Sequence, residues 1–299
     1  MLEEIKQQLS LPQEIIQHID QTREVRATYS KEDAELIGQS GYTAPHNDIL
    51  YDTVVASSLN KNILLQGPTG SGKTKLAEWI SHLYQKPMHM INCSVDLDAE
   101  AMLGYKTIEY KGDQAHVEFI PGPVVQAMRK GHLLYIDEIN MARPETLPIL
   151  NGILDYRRSL TNPFTTEVIK AKEGFQVIAS INIGYIGTVP LNEALKNRFI
   201  MIDVPYLQGD HLRSLVTAQS GQKDAKLINI LVQLSEDLIF QVKAGQLSEE
   251  AASIRALLDA ADLSVYLPLG RAIQRAIIDK LEDEREKAII QNLVETLIK

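Results

Sequence analysis

Cysteine is nearly absent from this chain of 299 residues, and the single Cys93 excludes an intrachain disulfide. One cysteine is typical of a protein in a reducing compartment, so we expect a cytoplasmic location. No apolar run approaches the roughly 20 residues that a membrane-spanning helix needs. The opening MLEEIKQQLS lacks the apolar core of a signal peptide, and we expect none. These absences exclude the disulfide-rich secreted class and the membrane-spanning class.

Basic residues are also fewer than acidic residues. The chain has 30 Lys and Arg against 39 Asp and Glu, a formal net charge of −9. Such a chain repels phosphate backbones, which counts against nucleic acid as a partner. The sequence contains no HExxH, paired CxxC or GxSxG motif. We therefore expect neither a zinc site nor a serine nucleophile, and structural or exposed roles for His82, His89 and His132.

The hydrophobic pattern divides the chain into three segments. Residues 1–50 form a polar, helical extension, residues 51–207 alternate helices with apolar strands, and residues 208–299 carry helical spacing only. The alternation predicts an α/β fold with a parallel sheet, helices on both of its faces, and a small all-α domain after it. The expected strands lie within 62–66, 88–93, 132–137, 175–182 and 199–204. Two insertions, one around KGDQ (111–114) and one at 157–170, are predicted to be hairpins.

The segment GPTGSGKT fits the phosphate-binding pattern GxxxxGK[ST] between a predicted strand and a predicted helix. Glycines let the backbone curl until several N–H groups face phosphate oxygens, and the helix that follows adds its positive end. The lysine reaches the β- and γ-phosphates, and the last hydroxyl ligates Mg²⁺. The predicted nucleotide-binding residues are Gly67, Pro68, Thr69, Gly70, Ser71, Gly72, Lys73 and Thr74.

A second motif, LLYIDEIN (133–140), is an apolar strand that ends in two carboxylates. Asp137 at the strand end is expected to hold Mg²⁺ through water, next to Thr74. Glu138 follows and is placed to polarise an attacking water as general base. Together with the phosphate-binding loop, this pair predicts hydrolysis of a nucleotide.

These motifs resemble those of AAA+ ATPases, and within them the MoxR-type group that includes the CbbQ/NorQ-like proteins. The resemblance covers residues 50 to 280. FQVIASIN is similar to the strand that ends in the sensor-1 residue, which corresponds to Asn182. NIGYIG (182–187) resembles the NPGYQG run of that group, from which Ile183 and Ile186 depart. LNEALKNRF resembles the segment that ends in the arginine finger, Arg198, and SIRALLDAADL the sensor-2 helix, with Arg255 as the sensor.

The resemblance implies a homo-oligomeric ring, a hexamer in the family, that uses ATP and Mg²⁺ to remodel or activate a protein client. It also implies a partner that carries a von Willebrand factor A domain. Two alternatives are a nucleic-acid-associated NTPase and a small-molecule P-loop kinase. The sequence leaves open the client, the ring size and the choice of ATP over GTP. It also leaves open whether Arg157 or Arg158 is a second trans-acting arginine.

Overall fold

The computed structural model describes Ile5 and residues 8–93, 97–111, 114–183 and 190–298. The strands are β1 Ile63–Gly67, β2 Met88–Asn92, β3 Gly104–Lys111, β4 Gln114–Pro121, β5 Leu133–Asp137, β6 Ser159–Thr161, β7 Val168–Lys170, β8 Gln176–Asn182 and β9 Ile200–Asp203. The α-helices are α1 Gln13–Glu24, α2 Lys31–Glu35, α3 Asn47–Ser58, α4 Lys73–Tyr84, α5 Ala99–Leu103, α6 Pro123–Lys130, α7 Leu147–Leu154, α8 Glu193–Lys196, α9 Gly209–Gln219, α10 Ala225–Lys243, α11 Ile254–Leu263, α12 Leu269–Ala276 and α13 Glu284–Ile298.

Five strands form a parallel sheet in the order β2-β5-β8-β1-β9. The predicted parallel sheet is therefore confirmed. Its central strands are mostly apolar because both faces are covered: residues 133–136 of β5 and 176–181 of β8 are all buried. Alternate residues enter different cores, so that Leu134 packs on one face and Tyr135 on the other.

The alignment of the central strands brings their carboxyl ends to one edge. Gly67 at the end of β1 lies beside Asn182 at the end of β8. On the other side of β8, Ala179 pairs with Ile136, one residue before Asp137. The loop after β1 and the carboxylates after β5 are therefore neighbours at the carboxyl edge of the sheet, where open α/β sheets place their ligands.

Both predicted hairpins are present. In the longer one Ile108 pairs with Val117, and Phe119 lies opposite Lys106. In the shorter one Leu160 pairs with Ile169. The longer hairpin forms a two-stranded sheet of its own, separate from the central one.

The C-terminal helical region, α9 to α13, has a hydrophobic core of its own. Its buried members come from every helix and include Leu212, Leu231, Leu257, Ile273 and Ile290. The region confirms the expected helical segment after the last strand. Within the described residues, no helix is long and apolar enough to cross a membrane.

Candidate functional site

Residues 67–74, which join β1 to α4, have the backbone conformation of a phosphate-binding loop, and we call them the phosphate cradle. Gly70 and Gly72 adopt left-handed conformations, with φ of 76° and 94°. A side chain at Gly67 would place its Cβ 2.2 Å from the carbonyl oxygen of Val204. Gly70 and Gly72 are required because of their positive φ, and Gly67 because the backbone of Val204 approaches too closely for a side chain. The loop leads into the N-terminus of α4, where free N–H groups attract anions.

Lys73 begins α4, and its side chain is buried under the loop. Its ammonium donates to the carbonyl oxygens of Gly67 at 2.9 Å and Pro68 at 2.8 Å. Burial lowers the pKa of Lys73 to about 8, against the opposing attraction of three nearby carboxylates. The group is therefore mainly charged at neutral pH and is held beside the cradle.

A chain of hydroxyl groups joins the loop to the end of β5. The Tyr135 hydroxyl donates to Asp137 Oδ1 at 3.1 Å and lies 3.1 Å from the hydroxyl of Thr74. Ser180 on β8 donates to the same oxygen of Asp137. Tyr135 is fully buried, and burial raises the pKa of its hydroxyl, which stays protonated as a donor. Thr74 and Asp137, the two residues expected to ligate Mg²⁺, are therefore bridged by one hydroxyl group, that of Tyr135.

Glu138 turns out of the strand in a left-handed conformation, with φ of 52°. This conformation is uncommon for a residue with a side chain and costs on the order of 1–3 kcal/mol. The Glu138 N–H donates to the Ser180 hydroxyl at 3.1 Å, and the Asn182 amide donates to Glu138 Oε1 at 2.8 Å. The predicted base and the predicted sensor are thus in direct contact.

Cys93 lies at the same edge, since its N–H donates to the carbonyl oxygen of Asp137 at 2.9 Å. Its thiol is buried, and burial raises the pKa of the thiol to about 12, with a further contribution from Asp137 and Glu138. A thiol with this pKa stays protonated and is a poor nucleophile.

The residues at this edge fit nucleotide phosphates with Mg²⁺. Ser71 Oγ, within the cradle, is buried and has no hydrogen-bond partner. The described residues contain no group of three or more His, Cys, Asp and Glu side chains that could hold a metal alone. Magnesium is commonly held by one or two protein oxygens together with phosphates and water, so Thr74 and Asp137 suffice.

The helical region reaches the cradle through the turn Glu249–Ala252, which precedes α11. Glu249 Oε2 accepts a hydrogen bond from the Thr69 N–H at 2.9 Å, and the Glu249 side chain is buried. Ser253 lies so close that a Cβ on Gly70 would be 2.9 Å from its hydroxyl. A carboxylate of the helical region thus occupies one donor of the phosphate cradle.

Arg255 lies in the first turn of α11, two residues after Ser253. Its side chain is exposed and forms no hydrogen bond or ion pair with the described part of the chain. The structure therefore brings the beginning of this helix to the cradle and leaves the guanidinium uncommitted.

Arg198 lies at the opposite end of the sheet. Its carbonyl oxygen accepts from the side chain of Asn62, the residue before β1, and its guanidinium is 4.0 Å from Asp155. Strands rise about 3.3 Å per residue, so β1 separates Arg198 from the cradle by roughly 16 Å. The structure does not bring Arg198 to the cradle of its own chain.

The two other arginines differ in their contacts. Arg158 is committed to its own chain, because its guanidinium donates to the carbonyl oxygens of Phe175 and Asn60. Arg157 is exposed and packs over the ring of Tyr156, 5.3 Å from its centre. Of the NIGYIG run, residues 184–187 lie outside the described residues.

Sequence reasoning missed Tyr135, Ser180 and Glu249. The first two had a signal, because each lies two residues before a predicted site residue on the same strand and so shares its face. Glu249 had no such signal, because it lies 180 positions along the chain from Thr69, whose N–H donates to it.

Comparison with known proteins is consistent with this geometry. Residues 62–199 match the family model of the AAA domain, dynein-related subfamily. YojN of Bacillus subtilis is 60% identical over 97% of this chain and 95% of its own length. A Staphylococcus epidermidis protein is 59% identical over 86% of this chain and 98% of its own. A mutant of Thermotoga maritima RuvB shares the fold, with a TM-score of 0.51, 16% identity, and coverage of 82% of this chain and 73% of its own.

The contact between Glu249 and Thr69 yields a first prediction. A phosphate and a carboxylate cannot share one N–H, and their charges repel each other. We expect Glu249→Gln to bind ADP about three- to tenfold more tightly than the unmodified chain, as measured by fluorescence titration. Glu250→Gln is the matched control, because it removes the same charge from an exposed neighbour. Equal affinity in the two variants would contradict this reading of the contact.

Proposed function

The chain belongs to the AAA family, in its dynein-related subfamily, and from that membership we propose that it is a ring-forming ATPase that remodels or activates a protein client. The proposal rests most directly on one observation: the nucleotide cradle and Arg198 lie at opposite ends of the same sheet. A chain with this layout needs a second copy to complete its site. The cofactors proposed are ATP and Mg²⁺.

The hydrolytic chemistry belongs to the carboxyl edge of the sheet. Lys73 and the N–H groups of the cradle would hold the β- and γ-phosphates. Thr74 and Asp137 would hold Mg²⁺, which supplies positive charge against the phosphates when bound. Glu138 would accept a proton from the attacking water.

Asn182 has a positioning role in this proposal. Its amide donates to one oxygen of Glu138, and the other oxygen has no hydrogen bond from the described residues and can face a water. Orientation of the base matters because proton transfer requires hydrogen-bond distance to the attacking water.

Arg198 would act on the ATP of the neighbouring subunit. Among the described residues its acidic neighbour is Asp155, 4.0 Å away, and 30% of its side chain is exposed to solvent. The guanidinium also donates to the carbonyl oxygen of Ala194. A partly exposed guanidinium whose nearest carboxylate is this distant keeps donors for a phosphate across a subunit boundary. When a residue at one end of a chain completes a site at the other end of its neighbour, the contact is head-to-tail, and it closes into a ring where the rotation between neighbours allows it. We propose a hexamer, as in the family that the sequence resembles.

The longer hairpin supports a protein client. Ile108, Tyr110 and Val117 share one of its faces and are exposed by 60%, 73% and 69%. Exposed apolar patches of this kind are typical of protein contacts, whereas nucleic acid is bound by basic surfaces. We further propose membership of the MoxR-type group and a partner with a von Willebrand factor A domain, on the motifs of the sequence.

Arg255 is expected to distinguish ATP from ADP. It begins the helix that follows the Ser253 contact with the cradle, and its guanidinium is uncommitted. Arg255→Ala should reduce the ratio of ADP to ATP dissociation constants by about tenfold, since a hydrogen bond between charged groups is worth roughly 1.5–3 kcal/mol. Calorimetry with ADP and a slowly hydrolysed ATP analogue measures the ratio. Arg271→Ala, which removes an exposed arginine from α12, should leave it unchanged. An unaltered ratio in Arg255→Ala would end this assignment.

The trans role of Arg198 is tested by mixing two inactive variants. Arg198→Ala keeps the base, and Glu138→Gln keeps the arginine. An arginine finger contributes about 10³ to 10⁵ in rate, so each variant alone should be nearly inactive. In a mixed ring an intact Arg198 faces an intact Glu138, and steady-state phosphate release should partly return.

The control for this experiment is assembly, measured by analytical ultracentrifugation. If mixed assemblies form and stay as inactive as their components, Arg198 does not act in trans. If Arg198→Ala alone is nearly as active as the unmodified chain, no finger role remains for it.

The partner is tested by capture. Glu138→Gln should retain ATP, because the amide is a poor base of nearly the same shape, and so should hold its partner in the ATP-bound state. Pull-down from the native cell followed by mass spectrometry should recover a protein with a von Willebrand factor A domain. Lys73→Ala, which lacks the phosphate-binding ammonium, is the control and should not recover it. Absence of such a protein from the Glu138→Gln sample would refute this part of the proposal.

A further inference from the structure

A cavity of about 710 Å³, separate from the phosphate cradle, lies at the amino end of the sheet. Its floor includes Lys86 before β2, His132 before β5 and Gln176 at the beginning of β8. Its roof comes from the N-terminal extension, through His18 on α1 and Tyr29. The phosphate cradle is at the carboxyl ends of the strands, so the two sites are separated by the length of the sheet. The volume lies within the range of small-molecule sites, roughly 300–1,000 Å³.

A buried lysine and a half-buried arginine meet beside this cavity, and the described residues offer neither of them a counter-charge. The Lys86 ammonium donates to the carbonyl oxygen of Gly174, and the Arg158 guanidinium donates to the carbonyl oxygens of Phe175 and Asn60. Within the described residues, neither cation forms an ion pair. Burial, with repulsion from Arg158, lowers the pKa of Lys86 to about 7. A buried charge without a partner is costly, and an anion beside Lys86 would offset that cost.

The remaining lining has an excess of positive charge. Two carboxylates, Asp33 and Glu173, face four Lys and Arg side chains, Lys86, Arg129, Lys130 and Lys172. Lys130 is neutralised by Asp33 at 2.6 Å, and Arg129 pairs with Glu167 outside the cavity. Lys86, Lys172 and the carboxylate of Glu173 are left, two cations against one anion. This local excess is notable in a chain whose net charge is −9, because it concentrates anions at one place.

A rigid aromatic wall completes the cavity. The His132 ring stacks on His89 at 5.4 Å between centres, with a ring-nitrogen distance of 3.1 Å, and Tyr29 meets His132 edge-on at 5.5 Å. Burial lowers the pKa of His132 to about 4, so the ring is neutral at pH 7. The wall therefore offers packing surface and hydrogen bonds, while the positive charge comes from the lysines.

We propose that this cavity binds a small anionic ligand, with a phosphate or carboxylate group placed against Lys86 and Lys172. Both kinds of group accept charge-assisted hydrogen bonds from ammonium donors. The site is distinct from the nucleotide cradle and does not depend on the function proposed above.

The test uses inorganic phosphate and citrate as probes of the two chemistries, each titrated by calorimetry into the full chain. Lys86→Met and Lys172→Met should each weaken binding of the preferred probe by about tenfold or more, since each removes a charge-assisted hydrogen bond. Lys170→Met removes an exposed lysine that does not line the cavity, and it should bind as the unmodified chain does. Whichever probe binds more tightly identifies the chemistry of the ligand.

The cradle also attracts phosphate, so a second readout locates the probe. The imidazole NMR signals of His18 and His132 should shift on titration, in the unmodified chain and in Lys73→Ala alike. Loss of binding in Lys73→Ala with full binding in Lys86→Met would place the anion in the cradle and overturn the proposal. Absence of binding by both probes would overturn it as well.

Discussion

The parallel alignment of β1, β8 and β5 is the constraint on which the rest of the site depends. It sets Gly67 beside Asn182 and brings Asp137 level with Ser180. Side chains alternate between the faces of a strand, so a shift of one residue would turn Asp137 away from the cradle and expose an apolar side chain to it. The hydrophobic cores on the two faces of the sheet, one on each face, oppose such a shift. The energy that holds the catalytic edge in place therefore comes from burial of Leu and Ile side chains far from the chemistry.

Tyr135 shows how the core and the site are joined in one residue. Its ring is fully buried among apolar neighbours, while its hydroxyl contacts Thr74 and Asp137. A tyrosine can serve both purposes because its body is apolar and its tip is polar. The loop and the strand end are thereby fixed relative to each other by a group that belongs to the packing.

The sequence predicted what is local or periodic, and it missed what depends on tertiary contacts. The strands and both hairpins follow from alternation and turn composition. The cradle residues follow from a contiguous motif. Contacts such as that of Glu249 with Thr69 join distant positions, and no period or spacing in the chain encodes them. The meeting of Lys86 with Arg158 is harder still, because charge patterns lead one to expect cations near carboxylates rather than near each other.

The position of Arg198 constrains the assembly more than the position of the cradle does. A cradle alone is compatible with a monomer, whereas the finger role proposed for Arg198, roughly 16 Å from the cradle of its own chain, requires a second copy. In a two-fold dimer, each copy would have to present both its cradle end and its Arg198 end to the same interface. A head-to-tail contact uses one end from each copy and leaves the other end for the next neighbour, so it repeats until it closes. Under the role proposed for Arg198, the separation of the two sites along β1 thus favours a ring over a two-fold dimer.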